Sequence, residues 1–234
     1  MRIFSFLLMF FFIQSSYSQE EKGNDTIILI NPSLEGEVKM GSTINGYELM
    51  NGWLDCSPYL FPTESPADVH PNGIFEVTKM AHEGETYIGM VVRENGSFEA
   101  ITQKLNVPLQ ENECYIMSLF LARSDEYVSR YHRQTGSKSK FNGRKQSRMP
   151  TKGQAGASIF RLYGGDRACN GDLLAETNLI EHTDWKKYKI VFKAPASIEY
   201  LTFSAFFGDS GEPTYRGNLL MDHISPIVRV ACIE

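Results

Sequence analysis

The sequence predicts an all-β protein, an antiparallel β-sandwich of about nine short strands. Along most of the chain, apolar residues alternate with polar ones, and this period of two is typical of strands with one buried face. Gly, Pro, Asn and Asp residues separate the alternating segments, as turns do. Because no segment has the spacing of an amphipathic helix, we expect antiparallel strands arranged as a sandwich or barrel.

The clearest strand is predicted for residues 185–194. There Tyr188, Ile190 and Phe192 alternate with lysines, so one face is buried and the other is wet. Residues 172–180 are predicted to form a helical turn or a loop. The other predicted strands, in chain order, are 26–30, 74–78, 87–93, 98–105, 114–123, 157–163, 198–207 and 219–225.

Residues 1–18 have the pattern of a secretory signal peptide. An apolar run over residues 3–13 follows Arg2, and the small residues Ser16 and Ser18 occupy the −3 and −1 positions before Gln19. The run is shorter than the roughly 20 residues that span a bilayer, and no later segment predicts a transmembrane span. We therefore expect residues 19–234 to form one exported domain, whether periplasmic, on the cell surface or secreted.

Four cysteines, an even number in a chain predicted to be exported, indicate two disulfides. Four buried thiols are the alternative, and zinc is disfavoured because no two cysteines have C-x-x-C spacing. Three connectivities are possible. If the terminal strands are neighbours, Cys232 reaches Cys56, which follows the first strand, and Cys114–Cys169 is then the second disulfide.

A basic segment interrupts a chain whose formal net charge is −5. Eight lysines and arginines lie between Arg130 and Lys152 without one acidic residue. The surrounding stretch, 129–156, is long for a loop in a compact domain. It is interpreted as a solvated insertion or as a grip for an anionic or protein partner. Nucleic acid is disfavoured because only Tyr131 and Phe141 supply aromatic rings and the remaining chain is acidic.

Two short segments resemble the ends of a known fold. Asn31-Pro32-Ser33-Leu34-Glu35, with Trp53 downstream, resembles the opening strand of the galactose-binding-like jelly rolls, which include many carbohydrate-binding modules. Leu219-Leu220-Met221-Asp222 resembles their closing strand. The resemblance implies a structural Ca²⁺ ion held by Glu35 and Asp222, with backbone carbonyls completing the shell.

The wider chain also resembles a group of exported bacterial proteins of poorly defined function. The segments that carry this resemblance are 53–56, 66–70, 89–93, 121–124 and the closing strand.

The strand period is consistent with a special role for Asp222. It alternates in phase with Leu220 and Ile224, so its carboxylate points to the same side as apolar groups. A carboxylate there needs a cation, hydrogen-bond donors or a proton. Because Ca²⁺ takes 6–8 oxygen ligands, two carboxylates alone do not make a site. Exposed or backbone-capped carboxylates remain the alternative.

Catalytic motifs are weak. Residues 208–213 read Gly-Asp-Ser-Gly-Glu-Pro and invite comparison with the nucleophile segment of trypsin-like proteases, with His82 as the base. Too little chain follows the serine, and no aspartate is indicated as the third member of a triad. A turn is therefore the better interpretation. The five histidines lack metal-ligand spacing, and adjacent acids such as Glu83 and Glu85 are typical of surface turns. A glycoside hydrolase or polysaccharide lyase remains the enzymatic alternative.

Residues 52–71 are the best candidate for a binding loop. Trp53, Tyr59, Asp68 and His70 combine aromatic faces with polar groups in a Pro-rich stretch, which suits a sugar. Trp53 is alternatively a core residue.

Two arginines, Arg93 and Arg123, each end an apolar strand. They either clamp an anionic group at a rim or discourage edge pairing.

The sequence therefore predicts an exported, non-catalytic binding module for carbohydrate or another cell-envelope ligand. The rival prediction is a structural or adhesion component of the cell surface that binds another protein.

Overall fold

The computed structural model describes residues 26–38, 48–72, 77–93, 95–125, 127–129, 151–153, 156–208 and 217–232. The predicted signal peptide, 1–18, and most of the basic stretch, 129–156, lie outside these residues. Among the described residues there are fifteen strands and one short helix. They are β1 (Thr26–Ile27), β2 (Glu48–Met50), β3 (Trp53–Asp55), α1 (Ser57–Leu60), β4 (Asp68–His70), β5 (Tyr87–Val92), β6 (Ala100–Leu109), β7 (Cys114–Arg123), β8 (Tyr127–Ser129), β9 (Thr151–Gly153), β10 (Ile159–Gly165), β11 (Asp172–Glu176), β12 (Lys186–Lys193), β13 (Ile198–Phe206), β14 (Gly217–Asp222) and β15 (Ile227–Val230).

The strands form two facing antiparallel sheets, which confirms the predicted β-sandwich. The seven-stranded sheet has the order β1-β15-β7-β14-β5-β4, with β12 also paired to β7. The six-stranded sheet has the order β11-β10-β13-β6-β3-β2. Strands β8 and β9 pair with each other at the two ends of the basic stretch. Among the described residues, no helix is long and apolar enough to cross a bilayer.

The sandwich contains more strands than the nine predicted, because several are only two to five residues long. The prediction of a helical turn or loop at 172–180 is wrong for its first half, which forms β11. This strand lies at an edge of the six-stranded sheet, and its residues are exposed or half-buried. Its sequence therefore lacks the alternation that reveals a strand.

The core lies between the sheets and is filled by alternate residues of their strands. Trp53, Phe160 and Phe203 are wholly buried there, with the Trp53 and Phe203 rings 5.2 Å apart in an edge-to-face contact. A second, smaller apolar cluster covers the outer face of the seven-stranded sheet. It consists of Val77, Tyr87, Ala122 and Leu220, with Ala81 and Trp185 against it. Strands β5 and β14 are consequently buried on both faces.

The two predicted disulfides are present, but the predicted pairing is wrong. The bonds are Cys56–Cys169 and Cys114–Cys232. Strand β15 pairs with β7 so that Val230 lies opposite Cys114, which brings Cys232 beside Cys114. Cys56 follows β3 in the other sheet, near the β10–β11 turn that carries Cys169. The prediction failed because it placed Cys56 directly after the first strand, whereas two further strands come between.

The first and last described strands pair, as predicted for a closed sandwich. Thr26 lies opposite Val228, and the Ile224 amide donates to the Pro32 carbonyl at 2.8 Å. This pairing places Glu35 and Asp222 at the same end of the molecule.

Candidate functional site

The outer face of the seven-stranded sheet carries a group of buried polar side chains. Val69 faces the core, so its neighbours Asp68 and His70 on β4 face outward. In register, Asp68 lies opposite Gly89 and His70 opposite Tyr87 on β5. On the next strand, Asn218 lies opposite Val91 and also faces outward, since Leu219 is in the core. Asp68, His70 and Asn218 are at most 1 % exposed.

His70 and Asn218 converge above the backbone of Gly89. A Cβ atom at position 89 would lie 2.6 Å from the His70 Nε2 and 3.1 Å from the Asn218 Oδ1. Only glycine leaves room for this approach. Among the residues that the structure describes, neither ring nitrogen of His70 and neither amide atom of Asn218 has a hydrogen-bond partner. Native proteins satisfy nearly all buried polar groups, so such atoms indicate a place for a bound hydrogen-bonding group.

His70 is neutral at physiological pH. Burial lowers the pKa of its imidazole to about 4. Its ring lies 5.6 Å from the Tyr87 ring, whose hydroxyl donates to the Lys79 carbonyl at 2.8 Å. A neutral imidazole offers one hydrogen-bond donor and one acceptor. Together with the amide of Asn218, it can receive a ligand that both donates and accepts.

The buried carboxyl of Glu99 interacts electrostatically with two other buried carboxyls, Asp68 on the outer face and Asp55 at the end of β3. Asp55, Asp68 and Glu99 are at most 2 % exposed. Burial raises the pKa of Glu99; the Arg93 charge opposes that rise and the Asp68 charge adds to it. Burial also raises the pKa of Asp55, although its carboxylate accepts the amide hydrogens of Ser57 and Ala67. The three groups therefore share one electrostatic environment.

Arg93 is held by neighbouring residues. Its guanidinium contacts Glu99 directly, lies 3.6 Å from the Glu64 carboxylate and donates to the Ser65 hydroxyl at 2.8 Å. These contacts tie the end of β5 to the loop before β4. These contacts already engage much of its guanidinium. The predicted role of Arg93 as a ligand clamp stays a prediction.

The structure brings some of the predicted binding residues together and separates others. Asp68 and His70 share the outer face, with Arg93 near them through Glu99. Trp53 is in the core, where its indole donates to the Asn31 carbonyl at 3.1 Å. Tyr59 lies on α1 and is 53 % exposed. Arg123 ends β7, and its Nε donates to the Glu181 carbonyl at 3.1 Å.

Asn218, Gly89 and Glu99 were missed by the sequence reasoning. Asn218 had a usable signal, because it alternates in phase with Leu220 and Asp222 and so shares their face. Gly89 had none, since its importance comes from the strand opposite it. Glu99 stands at the start of a predicted strand, where an acid is usually exposed.

Glu35 and Asp222 both bind the loop of residues 81–86. Asp222 accepts the amide hydrogens of His82 at 2.7 Å, Glu83 at 3.1 Å and His223 at 2.7 Å. Glu35 accepts those of Glu85 and Thr86 at 3.1 and 3.2 Å. Burial raises the pKa of Asp222 to about 7, and the Glu35 charge adds to the rise.

This arrangement matches the backbone-capped alternative that the sequence left open. Within the described part of the chain, no group of three or more His, Cys, Asp or Glu side chains is placed to hold a metal ion. A calcium ion here would share its carboxylate oxygens with the loop amides and need carbonyl oxygens besides. Calcium binding stays a prediction.

Aromatic rings lie beside the polar group on the same outer face. Trp185 contacts Tyr87 edge-to-face with ring centroids 5.2 Å apart, and its indole donates to the Met80 carbonyl at 2.9 Å. His82 stacks on Phe120 at 3.5 Å. Trp185 and Phe120 are half-buried, so part of each ring reaches the surface.

Comparison with known proteins supports the fold. No protein-family model matches the chain, and no curated protein matches it in sequence. Among solved structures, the apo form of a cyclase from Fischerella sp. is 17 % identical, with a TM-score of 0.51 over 89 % of this chain and 98 % of that one. A cyclase from Fischerella sp. TAU in complex with 4-(1H-indol-3-yl)butan-2-one is also 17 % identical, with a TM-score of 0.50 over 89 % and 99 %.

Carbohydrate-binding modules are also among the similar structures. A CBM4 module is 11 % identical, with a TM-score of 0.40 over 77 % of this chain and 96 % of that one. At these identities the cyclases show only a shared fold, and the overlap with CBM4 is too partial to bear on function.

Proposed function

We propose that this protein is a binding module for a carbohydrate, a ligand rich in hydroxyl groups. The proposed site is the outer face around Gly89, where His70 and Asn218 would hydrogen-bond the ligand. The observation that carries the proposal is the unused hydrogen-bonding capacity of these two wholly buried side chains. A buried polar atom without a partner costs about 1–3 kcal/mol, which a bound hydroxyl group would recover.

The chemistry of the face favours hydroxyl groups over other ligand groups. Each sugar hydroxyl both donates and accepts, which suits a neutral imidazole and an amide. The half-buried ring of Trp185, which contacts Tyr87, offers apolar surface to the C–H face of a sugar.

A glycan array followed by titration calorimetry with the full chain tests the proposal. We expect a carbohydrate to bind the wild type and Asn218→Leu to abolish its binding, because leucine has a similar size but cannot hydrogen-bond. A matched control is Thr102→Val, which removes a buried hydroxyl on the other sheet, where it donates to the Leu201 carbonyl. This control should bind normally.

Two outcomes would overturn the proposal. One is an array without any bound carbohydrate, in which case a water molecule accounts for the two side chains. The other is carbohydrate binding that Asn218→Leu leaves intact. The rival function, adhesion to another protein through the basic stretch, gains support if a protein partner binds and no glycan does.

A further inference from the structure

Gly89 leaves a gap in the outer face of β5, and two polar atoms converge on this gap. Tyr87 precedes Gly89 on the same face of the strand and Leu220 lies opposite it on β14, and both of these side chains are wholly buried. A Cβ atom at position 89 would lie 2.6 Å from the His70 Nε2 and 3.1 Å from the Asn218 Oδ1. One small group placed at the gap can therefore contact both polar atoms.

These two atoms call for one group that both donates and accepts a hydrogen bond. Neither has a hydrogen-bond partner among the described residues, although both side chains are wholly buried. The Asn218 Oδ1 accepts, and a neutral imidazole can donate through Nε2. Burial keeps His70 neutral, because it lowers the pKa of the imidazole to about 4. A hydroxyl group fits this pair, since its oxygen accepts from the imidazole while its hydrogen is donated to the amide oxygen. A carboxylate cannot donate, and a methyl group can neither donate nor accept.

We propose that the site binds the hydroxymethyl group of a hexose, with its primary hydroxyl between His70 and Asn218. The buried apolar neighbours Tyr87 and Leu220 disfavour a whole sugar ring in the gap, since ring hydroxyls beside them would lose water without gaining partners. A hydroxymethyl group is slender and projects one carbon beyond the ring, so it reaches the gap while the ring stays outside. Pentoses, 6-deoxy sugars and uronic acids lack this hydroxyl. The inference rests on the proposed carbohydrate-binding function and narrows its ligand class.

Pairs of glycans that differ only in the primary hydroxyl test the inference on the full chain. On the array, each glycan with hydroxymethyl groups is printed beside its 6-deoxy analogue, in which methyl groups replace them. Calorimetry then measures both members of every pair that binds. We expect the 6-deoxy member to bind roughly a hundredfold more weakly, because it leaves two buried polar atoms without partners. The analogue keeps the ring, the linkage and the other hydroxyls, so the difference in affinity reports on this one group.

A variant of His70 tests whether this side chain recognises the hydroxyl. His70→Phe keeps an aromatic ring but neither nitrogen, so the preference for the hydroxymethyl glycan over its 6-deoxy analogue should shrink by roughly tenfold. The control Thr102→Val, on the other sheet, should keep the full preference. An unchanged preference in His70→Phe would contradict the inference. The comparison of the two glycans on the wild type needs no variant, so it decides the matter even if His70→Phe does not fold.

The failure of this inference can be told from the failure of the proposed function. Equal affinities within a pair, or tighter binding of the 6-deoxy member, would overturn the hydroxymethyl inference and leave carbohydrate binding in place. Binding by pentose or uronic-acid glycans alone would have the same meaning. The absence of binding by any glycan would overturn both the inference and the proposed function.

Discussion

Asn218 and Asp222 lie four residues apart on β14, on the same outer face and equally buried, yet their surroundings differ. The Asp222 carboxylate accepts three backbone amide hydrogens. The Asn218 amide has no hydrogen-bond partner among the described residues. A polar side chain whose capacity is filled by the backbone holds the fold together. A buried polar side chain whose hydrogen-bonding capacity is unused lowers the stability of the fold, and a binding function explains why such a residue is retained.

The largest effect on stability is expected at Asp222, the residue of this pair whose hydrogen-bonding capacity is filled. Asp222→Leu leaves the amides of His82, Glu83 and His223 without their acceptor. It also removes one of the two carboxylates that hold the loop of residues 81–86. We expect the free energy of unfolding to fall by about 3–5 kcal/mol, measured by urea denaturation. A loss below about 1 kcal/mol would mean that the loop amides find other acceptors, and the contrast between the two residues would fail.

The second prediction concerns His70 and the pH dependence of the free energy of unfolding. Its pKa in the folded protein, about 4, is below the 6.5 of a free imidazole. As the pH falls from 6.5 to 4 the unfolded chain therefore takes up the proton first, and stability is lost in this window. The loss amounts to about 3 kcal/mol. His70→Gln cannot titrate, so its stability should fall by about that much less over the same range.

Urea denaturation of both proteins at several pH values measures this difference. Parallel curves for the wild type and His70→Gln would show that the imidazole is solvated, which contradicts the buried face described above.

Calcium is expected to have a smaller effect on stability. It tests whether Asp222 and Glu35 bind a metal ion as well as the loop amides. If Glu35 and Asp222 bind Ca²⁺ in addition to the loop amides, a hundredfold excess over its Kd should add about 2.7 kcal/mol of stability. We expect calcium to raise the melting temperature of the wild type and to leave Glu35→Gln unchanged. Equal melting temperatures in calcium and in a chelator would show that both carboxylates bind only backbone amides and no calcium ion.

The sequence predicted the sandwich because strand formation follows short-range patterns. It predicted the meeting of the ends because residues 31–35 and 219–222 resemble the first and last strands of a known fold. Alternation along 185–194 identified β12, and the phase of Asp222 with Leu220 indicated a buried carboxylate. The disulfide pairing failed because it depends on strand order, which local patterns do not encode. The sequence proposed Asp68 and His70 as binding residues but missed Asn218, although its phase with Leu220 was a usable signal. It missed Gly89 because the role of this glycine depends on the tertiary pairing of β5 with β14.

The central claim, that Asn218 is kept for a ligand and not for stability, is tested most directly by unfolding Asn218→Leu in urea without ligand. We predict that the variant is about 1–2 kcal/mol more stable than the wild type, because leucine replaces a polar group that lacks a partner with apolar surface of similar size. A loss of stability would show that the Asn218 amide has a structural partner, and the account of this face as a binding site would be contradicted.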